Sequence, residues 1–272
     1  MKDIQNKYRA NWRSIYFLSA VSFFNDIASE MIYPLIPVFI KTVLGFGAEV
    51  IGIIEGIAES INSLLKLFSG WISDKSKKRK IFILAGYSLS NLARPLIGIS
   101  SYWGMLLGFR LTDRVGKGIR SAPRDALLCD LAPEKKRGLA FGIQRGMDHA
   151  GAVIGPLIAS AMLTLFLLDL KTIFLFSYIP GIIAVLIVTF GVKEIKKEDH
   201  VRLEEFQKFQ SGQHFPGEQD TEDKKKKPIV LFFKDFNKLG GRFNYLLSIV
   251  IIFTLGNSTD AFLLLRASDL GI

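Results

Sequence analysis

Ionisable side chains set at helical intervals inside long apolar stretches are the residues of this chain whose types and spacing could do chemistry. The acids are Asp26, Glu30, Glu55, Glu59, Asp113, Asp148 and Asp260; the bases are Lys66, Arg94, Arg110, Arg114, Lys117 and Arg145. Arg110, Asp113, Arg114, Lys117, Arg120 and Arg124 recur at steps of three and four, which draws one stripe along a helix. Glu55, Glu59, Asn62 and Lys66 draw a second stripe, Ser22, Asp26, Ser29, Glu30, Tyr33 and Pro37 a third, and Tyr87, Asn91, Arg94 and Gly98 a fourth. Gln144, Arg145, Asp148 and His149 cluster on a fifth segment. Facing one another, such stripes supply fixed partners for a polar solute and carboxylates able to accept a proton. His149 is a candidate proton carrier near neutral pH, although a lone histidine among polar neighbours is more often a hydrogen-bonded structural group, and that is the preferred reading.

Composition narrows the class. The chain has 272 residues, 49% of them hydrophobic, so it has far too much apolar surface for a disordered protein. One cysteine, Cys129, excludes a disulfide framework and a cysteine-rich zinc site, and three scattered histidines supply no His-based metal centre. No cofactor is implied. A membrane enzyme is disfavoured as well, because no nucleophile elbow appears. The glycines between Asp113 and Arg120 cannot cradle phosphate with their backbone as a glycine-rich loop does, since mid-helix N–H groups are already bonded.

The elements that must position these residues are membrane helices. Apolar segments of at least about 20 residues are expected near 15–40, 49–71, 81–100, 103–128, 138–167, 172–192 and 243–267. The fold class is therefore an all-α polytopic membrane protein with seven spans. Lys and Arg residues of the N-terminal arm and the six connections number 4, 1, 5, 0, 5, 1 and 12 in order, with Arg120 and Arg124 assigned to the fourth connection. That alternation places the N-terminus in the cytoplasm. It also accounts for the net charge of +10 as an orientation signal spread over separate loops, with no nucleic-acid partner. An ionised group at the centre of a lipid-facing helix costs roughly 2.5–3.5 kcal/mol. Thirteen of them would exceed a net stability of about 5–15 kcal/mol several times over. The charges must pair or line water. A rise of 1.5 Å per residue puts Asp26, Glu30, Glu55, Glu59, Arg94, Arg110, Asp113, Arg114 and Asp148 in the middle half of the bilayer, as expected for a wet cavity.

Three stretches resemble motifs of the major facilitator superfamily of secondary transporters. Gly70-Trp71-Ile72-Ser73-Asp74-Lys75-Ser76-Lys77-Lys78-Arg79-Lys80 resembles the loop motif G-x-x-x-D-R/K-x-G-x-R/K-R/K, with Lys77 in place of the second glycine. Arg110 to Gly118 resembles R-x-x-x-G-x-G, with Arg114 where glycine is usual, and the continuation through Leu127 is similar to a bacterial subgroup. Gly151-Ala152-Val153-Ile154-Gly155-Pro156-Leu157-Ile158-Ala159 resembles G-x-x-x-G-P-x-x-G, ending in alanine. The resemblance implies a six-helix bundle plus one further helix, and a cytoplasmic latch built on Gly70, Asp74, Lys75 and Arg79. Physically, Asp74 can meet the positive N-terminus of another helix, and Lys75 and Arg79 can reach Asp125 or Asp130; Lys77, Lys78 and Lys80 read as ordinary anchors. Gly151, Gly155 and Ala159 share one face, where a neighbouring backbone can approach closely. Pro156 removes one helix bond, so packing and a bending hinge stay open as alternatives.

The domains expected are a bundle over 1–192, a cytoplasmic linker over 193–242, and the first helix of a second bundle over 243–272. Asn257-Ser258-Thr259-Asp260 faintly echoes Asn25-Asp26 with Ser29-Glu30, which would make Asp260 the second half's contribution to the cavity. The expected function is secondary active transport of a small organic solute across a bacterial inner membrane by alternating access, with the proton as a candidate coupling ion and drug or metabolite efflux as a candidate direction. Asp26, Glu30 or Asp113 would carry the proton, and Arg94, Arg110 and Arg114 would anchor anionic groups. The alternative is a truncated, non-transporting membrane fragment, or half of a split transporter whose C-terminal half lies elsewhere.

Overall fold

In a computed structural model, residues 12–76 and 78–192 are described, with positions 245, 246, 248, 249, 266 and 270 beyond them. The linker expected over 193–242 and Asp260 lie outside the described residues. Of the expected seventh span, Tyr245, Leu246, Ser248, Ile249 and Arg266 are described, all of them helical and exposed. Contacts divide the chain into two units, Met1–Lys197 with Ala261–Ile272, and Glu198–Asp260. All that follows concerns residues 12–192 of the first.

The described residues of that stretch are all-α, without a strand. Helix α1 is Trp12–Glu30, α2 Leu35–Thr42, α3 Ala48–Ser76, α4 Arg79–Ile97, α5 Trp103–Leu131, α6 Arg137–Thr164, α7 Leu170–Phe176 and α8 Tyr178–Gly191, with a short 3₁₀ turn, Glu134–Lys136, before α6. The expected second to fifth spans are α3, α4, α5 and α6. The first and sixth, expected as single helices, are each broken in two. Pro34 has no N–H for the Glu30 carbonyl and Pro37 none for that of Tyr33, so the chain tightens there through Ile32 N–H to Ser29 O at 3.1 Å and Leu35 N–H to Ile32 O at 2.8 Å. In the sixth span, Pro180 withholds the donor that the Phe176 carbonyl would need, and at the break the Ser177 hydroxyl donates back to Phe174 O of α7 at 2.7 Å.

Neighbouring helices approach closely where side chains are absent. A Cβ on Gly116 of α5 would lie 2.6 Å from the Gly86 carbonyl oxygen of α4, and one on Gly86 would lie 2.5 Å from that of Gly116, so the two backbones touch. On α6, a Cβ on Gly151 would sit 2.5 Å from Phe23 O of α1, and one on Gly155 would sit 2.9 Å from Ile27 O. Ala159, one step further along that face, is buried in an apolar cluster, and α6 runs unbroken through Pro156.

Two apolar clusters fill the bundle ends. One joins Ile27, Met31, Ile36, Phe39, Ile54, Ile97, Leu106, Ile173 and Phe174, with the Phe39 and Phe174 rings edge to face at 5.3 Å. The other joins Ile15, Leu18, Val21, Ile83, Tyr87, Leu127, Leu128, Leu131, Ala184 and Val188. The outer surface is also apolar: Leu67, Leu92, Val153, Leu157 and Phe190 are exposed. Polar groups therefore collect inside while apolar ones face outward, the pattern that a lipid solvent selects. Among the described residues, only Trp12–Thr42 and Leu170–Gly191 are apolar enough to cross a membrane on composition alone. The other helices fall short because they carry the interior charges.

A charge-lined cavity as the candidate functional site

The polar layer is built outward from Asp113 on α5. Its carboxylate accepts from Arg94 Nε of α4 at 3.0 Å and from Arg110 Nη1, one turn earlier on its own helix, at 3.4 Å. Arg94 Nη1 donates to Asn25 Oδ1 of α1 at 3.0 Å and to Asn91 Oδ1 at 2.8 Å. Glu55 of α3 takes a two-pronged pair from Arg110, at 2.8 and 3.1 Å, the geometry in which guanidinium and carboxylate bind most strongly. Arg114 lies 3.7 Å from Glu55 and 3.5 Å from Glu59, and Asn62 donates to Glu59 at 2.7 Å. The Tyr33 ring faces both Arg110 and Arg114, with guanidinium carbons 5.2 and 5.8 Å from its centroid.

A second group joins α5, α6 and α1. Arg124 holds Asp125 at 3.1 Å and Asp148 at 3.7 Å; Arg145 lies 3.8 and 3.5 Å from the same two carboxylates. Gln144 donates to Asp148 at 2.6 Å, and Arg124 to Ser22 at 3.1 Å. Arg120 is 4% exposed; it donates to Ser90 at 2.8 Å and its guanidinium lies 4.5 Å from the Tyr87 ring centroid.

Between these groups lies a cavity of about 290 Å³. Its walls include Asp26, Glu30, Lys66, Arg94, Arg110, Asp113, Arg114, Lys117, Arg120, Arg124, Arg145, Asp148 and His149. Of the residues expected from the sequence, Asp26, Glu30, Arg94, Arg110, Asp113, Arg114, Asp148 and His149 thus share one wall. Glu55 and Glu59 are not part of that lining: Glu55 is buried against Arg110, and Glu59 is exposed beside Arg114. His149 is exposed on that wall and has no hydrogen-bond partner among the described residues, in contrast to the structural group expected: its helix presents it to the open space and not to a packed neighbour.

Several contributors were not among the cavity residues expected from the sequence, although all but Ser90 appear in its stripes or echoes. Arg120 and Arg124 were assigned to a loop; α5 continues to Leu131 and carries both on the cavity face. The signal was present, since both continue the Arg110–Lys117 stripe. Asn25, Ser90 and Tyr87 look like ordinary helix residues, and only the fold makes them partners of arginines.

At the bundle end formed by the second connection, Arg79 is buried between two acids, 3.2 Å from Asp74 and 3.0 Å from Asp130. Asp125, the other acid thought to be within reach, is taken by Arg124 and Arg145. Lys75 lies over the Trp71 ring at 5.5 Å. A Cβ on Gly70 would meet Ala122 Cβ of α5 at 3.2 Å, which brings α3 and α5 close beside that cluster.

The Major Facilitator Superfamily pattern matches residues 18–272. An uncharacterised MFS-type transporter of Methanocaldococcus jannaschii is 39% identical over 182 residues, which is 67% of this chain and 45% of that protein. The multidrug resistance protein MdtH of Photorhabdus laumondii is 29% identical over 148 residues, covering 54% of this chain and 37% of the relative. A bacterial homologue of the human lysosomal transporter Spinster, in its inward-facing and unoccupied conformation, superposes with a TM-score of 0.60 at 17% identity, over 83% of this chain and 48% of that one. The chain thus spans less than half the length of these curated relatives. With the pattern matched along nearly its whole length, and six spans arranged as described, five of them with charged inner faces, this is a multi-pass membrane protein of the major facilitator superfamily.

Proposed function

We propose that the cavity is one wall of a transport path, and that the protein moves a small organic solute across a bacterial inner membrane by secondary active, alternating-access transport. The observation that carries this reading is a cavity of about 290 Å³ lined by charged groups from α1, α3, α4, α5 and α6, with apolar clusters filling the bundle ends. Coupling to protons falls to Glu30 and Asp26. Neither has a cation within 4.0 Å among the described residues, so either can exchange a proton without breaking an ion pair; Asp113 is committed to two arginines. Residues 1–192 are read as one half-bundle, 193–242 as a linker, and 243–272, including Asp260, as the start of the second half that completes the path. Arg79, Asp74 and Asp130 are read as the cytoplasmic latch.

The test needs no known substrate. In a Cys129→Ser background, single cysteines replace Ser29 and Ser121 on the cavity wall, with Leu92→Cys, which is exposed on the outer surface, as the control. The cavity positions should react with a membrane-impermeant thiol reagent much faster than Leu92→Cys, and their relative rates should differ between right-side-out and inverted vesicles. Equal rates at all three positions would remove the transport path. A pH dependence of labelling that survives Glu30→Gln would remove Glu30 from coupling.

A further inference from the structure

Resting on the transport reading, we propose that the cavity selects a small dianionic solute, one bearing a phosphate group or two carboxylates, and that Lys66, Lys117 and Arg120 grip it. Five arginines in the polar layer hold five carboxylates, and they balance. The arginines expected to anchor a substrate are consumed by that pairing. What remains on the wall is three bases with no carboxylate within 4.0 Å among the described residues, Lys66 of α3 and Lys117 and Arg120 of α5, facing two equally unpaired acids, Asp26 and Glu30. The cavity is therefore positive whether or not those two acids carry protons: by one charge when both are ionised and by three when both are neutral. A cationic solute finds a net repulsive field in either state, whereas a dianion is attracted in both.

The chemistry of the three groups fits that cargo. Lys66 and Lys117 end in compact ammonium groups on flexible stems, suited to charge without strict geometry, while Arg120 is fixed at the cavity wall by Ser90 and Tyr87. The volume, about 290 Å³, is at the small end of the range of roughly 300–1,000 Å³ for ligand sites.

The experiment is equilibrium binding to the full chain in nanodiscs of neutral lipid, with inorganic phosphate, succinate and the lipophilic cation tetraphenylphosphonium as probes. Phosphate or succinate should bind, and Lys66→Gln or Lys117→Gln should weaken that binding about tenfold or more, the loss expected for one charge-assisted contact. Lys117→Arg should retain it, and Lys171→Gln, an exposed surface change, should leave it unaltered. Both lysine variants are expected to fold, since the side chains are exposed and unpaired. Anion binding that survives in the Lys66→Gln/Lys117→Gln double variant would place the anion elsewhere and overturn the assignment. So would binding of tetraphenylphosphonium alone, binding of no probe, or a response to phosphatidic acid added to the nanodisc without one to soluble phosphate. Those outcomes leave the cysteine-labelling result standing, so a wrong solute class is told apart from a wrong transport path.

Discussion

Asp113→Asn isolates the polar layer's central carboxylate while preserving its shape. Arg94 Nε and Arg110 Nη1 each lose a charged acceptor. The two arginines are not equally affected. Arg110 keeps its two-pronged pair with Glu55, whereas Arg94 is left with the neutral acceptors Asn25 and Asn91 while only 3% exposed. Removing one partner of a buried ion pair costs about 3–5 kcal/mol. The remaining acceptors of Arg94 place this case at the lower end, about 3 kcal/mol. For a chain of this size each kcal/mol moves the midpoint by about 2–4 °C, so the melting temperature should fall by about 6–12 °C. The assay is thermal unfolding of purified variants at one scan rate in one detergent, as a double-mutant cycle with Arg94→Met and Asp113→Leu. The double apolar variant should melt above Asp113→Asn, because it leaves no unpaired Arg94, and the coupling between the two sites should be about 1–3 kcal/mol. An Asp113→Asn protein melting within 2 °C of the unaltered one, or a cycle that is additive, would refute the claim that this carboxylate neutralises a buried guanidinium.

Gly155→Val should destabilise by about 1–3 kcal/mol, because its side chain must displace the α1 backbone, whereas Gly146→Ala, with nothing within 4 Å, should be stabilising by about 0.5–1 kcal/mol; paired melting curves check both. Arg79→Gln should cost more than Asp74→Asn, about 1–3 against at most 1 kcal/mol, because the arginine is buried between two acids and the Asp74 side chain is 63% exposed. At the loop before α7, the Thr172 hydroxyl donates to Asp169 and holds that carboxyl below its ordinary value. A value depressed on folding stabilises above the unfolded pKa of about 3.9 and is lost as the pH falls through the folded value; Thr172→Val should return the Asp169 titration, followed by NMR, to the ordinary range, and an unmoved titration would assign the shift to another cause.

The spans and the chemical character of their inner faces were legible in the sequence because a helix's period is fixed and charge in lipid is costly. Asp26, Glu30, Arg94, Arg110, Asp113, Arg114 and Asp148 could be assigned to one level on those grounds alone. Which acid meets which base was not legible. Periodicity defines a face and a depth, but pairing depends on how helices rotate against each other, and that is set by backbone contacts such as Gly86 with Gly116. Hence Asp113 stood beside Asp26 and Glu30 as one of three candidate proton carriers, although Arg94 and Arg110 both hold it. The breaks at Pro34 and Pro180 were readable in principle from the missing donors, but an unbroken apolar run masks them. Arg120 and Arg124 were misassigned because an orientation count treats a cation near a span's end as a loop residue, whatever face it shares.

The burial of charge inside α5 also bears on how the protein is made. This helix has 29 residues and carries Arg110, Asp113, Arg114, Lys117, Arg120, Arg124, Asp125 and Asp130. Alone in the lateral gate of the translocation machinery it would partition poorly into lipid, at roughly 2.5–3.5 kcal/mol for each charge near its centre. Its partners α3 and α4 emerge from the ribosome before it, bringing Glu55 and Arg94 within reach. Biogenesis must therefore hold the earlier helices beside the nascent fourth span until they can leave for the bilayer together.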